Sequence, residues 1–189
     1  MKTKMQLAEA EQIAMQVRAD LLPYCQRIET AGSIRRHKLE VGDIEIVCMP
    51  KLIEERNLFG EILQCRNELE DKIGEMTLKG WRFIKNGNRF KQLVFHNGIS
   101  LDLFICLPPA QWGVLFAIRT GPRDFSTWIV TQRNKGGALP SNLHVKNGVV
   151  WHGSKALCTP EEDDFLGLCG LAGVPAEERR QGMPCVVTR

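Results

Sequence analysis

Two carboxylates, Asp43 and Glu45, stand two residues apart among Val41, Ile44, Ile46 and Val47. The β-branched character of that run predicts a buried strand over 41–48. Residues i and i+2 of a strand point to one face. Two acids aimed at one spot from an apolar strand are costly without a cation between them. Mg²⁺ is the natural cation, a hard ion that takes oxygen ligands and also grips substrate phosphates. Ten residues before Asp43, Ser33 follows Gly32 in a small turn, and Arg35 and Arg36 come next. Backbone N–H groups of such a turn suit phosphate oxygens, and Arg36 adds a charge-assisted fork. The layout predicts metal-dependent phosphoryl or nucleotidyl transfer. A bare D-x-E is by itself more often a solvated strand face. The turn, the arginine pair, the spacing and Gly42 beside Asp43 together carry the reading.

A third acid fits the same chemistry. Residues 99–106 read ISLDLFIC, and Asp102 is the one charge in that run. A lone charge there requires a partner or a metal ion. Ser100 and Phe104 are its alternate neighbours and share its predicted face.

The elements that position these residues follow from periodicity. Leu7, Ala10, Ile13, Ala14, Val17 and Leu21 predict a helix over 5–22, ended by Pro23. Residues 26–31 predict a short strand into the Gly-Ser turn. Leu58, Ile62, Leu69 and Ile73 predict a second amphipathic helix over 56–78. Strands at 81–85, 89–95 and 99–106 are separated by Asn86-Gly87 and Asn97-Gly98, strong hairpin signals, so a meander delivers Asp102 beside the first two acids. Beyond Pro108-Pro109 the pattern predicts helices at 110–118 and 125–134, the second capped by Asp124 and ended by Gly136-Gly137. A hairpin follows at 143–151 around Asn147-Gly148. Thr159-Pro160-Glu161-Glu162 predicts the start of a last helix, closed by Gly170 or Gly173.

Composition narrows the class. The chain has 189 residues, 43% hydrophobic and 25% charged, with a formal net charge of +3. These are values of a soluble globular protein whose mild basicity permits nucleic-acid binding. No apolar run is long enough for a membrane span, and the N-terminal stretch has no secretory pattern. Seven cysteines lie scattered without a C-x-x-C pair, which predicts free buried thiols, no zinc site and a reducing intracellular, cytoplasmic setting. The four histidines are also scattered, and none pairs with Cys or Ser for nucleophilic catalysis.

The pattern G-S followed by D-x-[DE] resembles the signature of the DNA polymerase β superfamily of nucleotidyltransferases. Residues 107–126, LPPAQWGVLFAIRTGPRDFS, resemble the stretch after the third aspartate in family X DNA polymerases, with Thr120-Gly121-Pro122 and Phe125 matching. Residues 136–151 resemble that family's thumb hairpin, and 159–180 its C-terminal helix and tail. The likeness covers about residues 25–180. It implies an α+β fold: a nucleotidyltransferase palm over 1–107, with a mixed β-sheet and helices on one face, and a small thumb-like, nucleotide-selecting α+β subdomain over 108–189. It implies a monomeric DNA-directed DNA polymerase acting in short-gap repair, with dNTP and primer-template or gapped duplex DNA as partners. Asp43, Glu45 and Asp102 would be catalytic and would hold two Mg²⁺ ions about 3.5–4 Å apart.

The resemblance also assigns binding roles. Gly32, Ser33 and Arg36 would hold the β- and γ-phosphates. Gly42, Ile118, Arg119, Thr120, Gly121, Arg123 and Ser126 would line the nucleotide. Lys79, Arg82, Lys85, Arg89 and Lys91 would form a strip on DNA phosphates, with Arg133 and Lys135 beside the template. A solvated sheet face is the plain alternative for the strip. Arg35 has a plain alternative too, pairing with a surface acid such as Glu40. Trp112 and Trp128 read as core.

Departures from the family pattern mark what is open. Glu45 stands where these polymerases usually have Asp, so the choice between Mg²⁺ and Mn²⁺ is open. Ile118-Arg119 replaces an aromatic pair that helps reject ribonucleotides. Ser126 replaces a base-contacting Asn, and Ser100 an Arg near the third acid. Pro122 replaces Ser at a turn that can be cis in the family, and Gly-Pro tolerates cis far better than Gly-Ser. The likeness lacks the family's N-terminal lyase domain, which implies weak, distributive synthesis of the kind seen in small viral or phage repair enzymes. The rival readings are a terminal transferase, an adenylylating transferase acting on a protein, RNA or small molecule, and a non-catalytic nucleotide-binding module.

Overall fold

A computed structural model describes residues 4–185, without the side chains of Glu55, Arg56 and Gln64. The first three residues of the N-terminal stretch and the last four of the second predicted domain lie outside it. In chain order the elements are β1 (Met5–Gln6), α1 (Leu7–Leu21), β2 (Cys25–Thr30), α2 (Gly32–Arg35), β3 (Glu40–Val41), β4 (Ile44–Pro50), β5 (Ile53–Arg56) and β6 (Ile62–Arg66). Then come α3 (Glu68–Glu75), β7 (Trp81–Asn86), β8 (Phe90–Phe95) and β9 (Ser100–Ile105). The remainder is α4 (Trp112–Thr120), α5 (Arg123–Val130), β10 (Leu143–Lys146), β11 (Val149–His152), β12 (Lys155–Leu157) and α6 (Glu162–Leu168).

The chain forms two compact units. The first runs to Thr30 and resumes over Glu40–Ile105; the second takes Ala31–Leu39 and the residues described from Cys106 on. The segment with the Gly-Ser turn therefore belongs to the second unit, where the sequence reading grouped it with the first.

The first unit is α+β, built on a five-stranded mixed sheet of order β2-β4-β9-β8-β7. β4 and β9 run parallel, and the other neighbours are antiparallel. One face carries Ile44, Ile46, Leu93, Leu101 and Leu103, all fully buried. α1, through Ala10, Ala14, Val17 and Leu21, and α3, through Leu69 and Ile73, supply the helical side of that core. The opposite face holds the alternate residues, including Glu45 and Asp102.

Two predicted elements of the first unit differ. The helix over 56–78 begins only at Glu68; before it, β5 and β6 form a hairpin. Asn57 stops helix formation at the tip: its Oδ1 accepts from the N–H groups of Phe59 (2.9 Å) and Glu61 (3.0 Å), and Gly60 has φ +83°. Leu58 is 102% exposed as a result, while Leu69 and Ile73 keep the apolar stripe. The strand over 41–48 is interrupted, with Gly42 and Asp43 in a bend between β3 and β4.

The second unit packs α4, α5 and α6 with the antiparallel sheet β10-β11-β12 around Phe125, Trp128, Leu139, Val150, Phe165 and Leu166. Trp112 is buried as well, so both tryptophans are core residues. Asn147 (φ +54°) and Gly148 (φ +74°) close the β10–β11 hairpin as a two-residue turn. α5 ends at Val130, short of the predicted 134, and a 3-10 turn over Arg133–Lys135 leads to Gly136. The cap of α6 is Glu161, in a capping box with Asp164, rather than Thr159. Thr159 is buried, and Gln111 Oε1 accepts from both its N–H and its hydroxyl. Among the described residues the cis peptide bond is Pro108-Pro109, not Gly121-Pro122.

Candidate functional site

In the first unit the parallel register sets Glu45 directly beside Asp102. Register partners share a face, so both carboxylates project from the face opposite the helix-covered core, which they share with the buried Val47 and Phe104. Both are half-buried between fully buried neighbours. Asp43 is half-buried too, but it lies one residue before β4, so strand alternation does not reach it.

The antiparallel register of β8 on β9 brings Gln92 opposite Asp102, and Gln92 Nε2 donates to Asp102 Oδ1 at 2.9 Å. β7 adds Lys85 opposite Gln92. One polar row, Glu45-Asp102-Gln92-Lys85, therefore crosses four strands. Sequence reasoning missed Gln92; its signal lies in strand pairing and not in local residue type.

The donor set fits a hard divalent cation, since it offers carboxylate oxygens from neighbouring strands. Among the described residues, however, no three His, Cys, Asp or Glu side chains are gathered into a metal-holding cluster.

In the second unit the Gly-Ser segment is the short helix α2. Gly32 has φ +60°, a conformation suited to glycine. Ser33 Oγ is buried and has no hydrogen-bond partner, an uncommon state for a buried hydroxyl. Opening N–H groups of a helix also have no intrahelical acceptor. Both features suit an anion.

The two arginines anchor this segment. Arg35 grips Glu162 through Nη1 at 2.8 Å and Nη2 at 2.7 Å, and donates to Thr120 Oγ1 at 2.6 Å. It also lies 4.0 Å from the centroid of the Phe116 ring. Its acid is thus Glu162; Glu40 pairs with Lys4 instead. Arg36 donates to the Thr120 carbonyl.

Several residues assigned to the nucleotide or to DNA are engaged within the fold. Thr120 is fully buried, its hydroxyl and carbonyl held by the arginines. Ser126 Oγ donates to the carbonyls of Ile118 and Gly121, closing the α4–α5 corner. Ile118 packs against the unit's core. At Gly121 a Cβ would lie 2.3 Å from the Phe125 ring, so its lack of a side chain serves packing. Arg133 donates to the carbonyls of Ala138 and Cys169. Arg119 is half-buried, whereas Arg123 and Lys135 are exposed. Gly42 sits in its bend with open space where a Cβ would be.

The basic strip of the first unit divides. Strand alternation sends Lys91 to the helix-covered face, where it is 3% exposed and pairs with Glu70 at 2.7 Å. Lys79 lies outside the meander strands and pairs with Asp20 at 2.6 Å. Arg82 and Lys85 are exposed and register with the acid-bearing face, and Arg89 is exposed in the turn before β8. The seven cysteines form no disulfide: Cys25, Cys48, Cys106 and Cys169 are buried, while Cys65 and Cys158 are exposed. Burial pushes the Cys169 thiol up to about 12.

No helix among the described residues is long and apolar enough to cross a membrane. No protein-family model matches the chain, and no curated protein matches it.

Proposed function

We propose that the chain is a nucleotidyltransferase of the family X DNA polymerase type, transferring dNMP from dNTP to a primer 3′-hydroxyl. The first unit would serve as the palm and the second as the thumb-like subdomain. The observation that carries the reading is the pairing of Glu45 with Asp102 on the sheet face opposite the helices. Asp43, Glu45 and Asp102 would hold Mg²⁺ or Mn²⁺. Two such ions supply activation of the attacking hydroxyl and charge neutralisation on the leaving pyrophosphate.

The chain's own residues do the positioning. Gln92 holds one oxygen of Asp102 and so restricts its orientation. The Gly32-Ser33 segment offers N–H donors and the unpartnered Ser33 hydroxyl to phosphate oxygens. Arg35, pinned by Glu162, keeps that segment in place. Arg82 and Lys85 provide positive charge for a nucleic-acid backbone.

The test is primer extension on a one-nucleotide gapped duplex, with each dNTP and rNTP supplied singly with Mg²⁺ or Mn²⁺. Addition of the complementary dNMP, abolished in Asp102→Ala, supports the proposal. Addition regardless of template makes the protein a terminal transferase. No addition under any condition removes the polymerase reading.

A further inference from the structure

A cavity of 390 Å³ opens in the first unit between α1, the turn that follows α3, and the outer β7–β8 ladder. That volume lies in the range of small-molecule sites. Its floor is Trp81 and Phe95, cross-strand partners whose ring centroids are 5.0 Å apart at 43°. Alternation along β8 puts Phe95 on the helix-covered face, opposite to Gln92. The cavity is therefore separate from the acid row.

Its chemistry selects one ligand class. Val17 and Ile99 continue the apolar lining, and the rings of Trp81 and Phe95 add aromatic surface to it. The polar groups at its edge include the Gln12 amide, with donors and an acceptor, and the Asn97 amide, whose NH2 donates while its Oδ1 accepts from the Ile99 N–H at 3.1 Å. Its charged groups, Lys79 and Asp20, are joined at 2.6 Å and so cancel. A net charge on the ligand would find no counter-ion here. A flat ring with hydrogen-bonding edges would find a floor and edge partners together.

We propose that this cavity binds a neutral heteroaromatic ring of nucleobase size, either a free base or an unpaired base of a single strand. The experiment is an NMR titration of nitrogen-15-labelled protein with adenine, cyclohexanol and a short single-stranded oligodeoxyadenylate. Adenine should shift the Trp81 indole and Asn97 amide signals saturably, with a dissociation constant of about 1 mM or tighter. Ile13→Trp, which fills the cavity from α1, should weaken binding at least about tenfold. Gln12→Ala, at an exposed position, should weaken adenine binding several-fold with the fold intact. Tighter binding of the oligonucleotide than of adenine, lost in the same variants, assigns the site to strands; equal or weaker binding assigns it to free bases. An absent or non-saturating shift with adenine overturns the proposal. So does an equal response to cyclohexanol, or adenine binding unchanged in both variants.

Discussion

Replacing Glu162 with Gln tests the ion triad that anchors the Gly-Ser segment. Glu162 is 12% exposed at its side chain and accepts from Arg35 at 2.7 and 2.8 Å and from Arg179 at 2.6 Å. Arg179 is itself only 3% exposed there. Burial alone would push the Glu162 carboxyl up, but the bonds from Arg35 and Arg179 outweigh it, and the net shift is downward. Removing one partner of a buried ion pair costs about 3–5 kcal/mol, because it leaves the other charge uncompensated. Glutamine retains one acceptor oxygen and should keep part of that, leaving a loss of about 2 kcal/mol. At roughly 4–8 °C per kcal/mol for a unit of this size, its melting point should fall by about 8–16 °C.

The pH dependence discriminates further. A carboxyl whose folded pKa is depressed contributes stability above its unfolded pKa, and that stability disappears as pH falls through the folded value. The difference between wild type and Glu162→Gln should therefore be full at pH 7 and shrink below about pH 4, near the unfolded value of glutamate. Urea titrations followed by tryptophan fluorescence would measure it, since Trp112 and Trp128 report on this unit. A variant melting within about 2 °C of wild type at pH 7, or a difference unchanged down to pH 3, would refute the reasoning.

Gln92→Ala should leave the fold unchanged and lower primer-extension activity about 10–100-fold, the usual cost of removing a group that orients a ligand carboxylate, with partial recovery at high Mg²⁺. Unchanged activity would show that Asp102 needs no orienting partner. Arg82→Ala and Lys85→Ala should each reduce the salt slope of DNA binding by about 1, whereas Lys91→Met should leave it unchanged, since Lys91 is buried against Glu70. Gly137→Ala should destabilise the protein by about 2–3 kcal/mol in denaturant titrations. The added Cβ would lie 1.8 Å from the Thr131 carbonyl oxygen, a backbone atom that cannot swing aside.

Local chemistry made α1, the three meander strands and the β10–β11 hairpin legible, because apolar period and Asn-Gly turns act over a few residues. Glu45 and Asp102 were legible as charges inside apolar strands, which are costly wherever they occur, whereas Asp43 lies in a bend outside β4. Tertiary structure decided what depends on pairing. An Asn97-Gly98 two-residue turn would have placed Leu93 opposite Asp102; the observed loop is one residue longer, with Gly98 at φ +87°, and it puts Gln92 there. Alternation along β8 sends Lys91 to the core, and a register shift between Phe83 and Lys85 sets Lys85 opposite Gln92 on the acid-bearing face, although both read simply as meander lysines. Asn57 ended a helix that periodicity predicted, because its side chain held the backbone in a turn. Arg35 found Glu162 across 127 positions, a partner that no local rule names. The sequence determined which groups are costly to bury; register and packing determined which partners satisfy them.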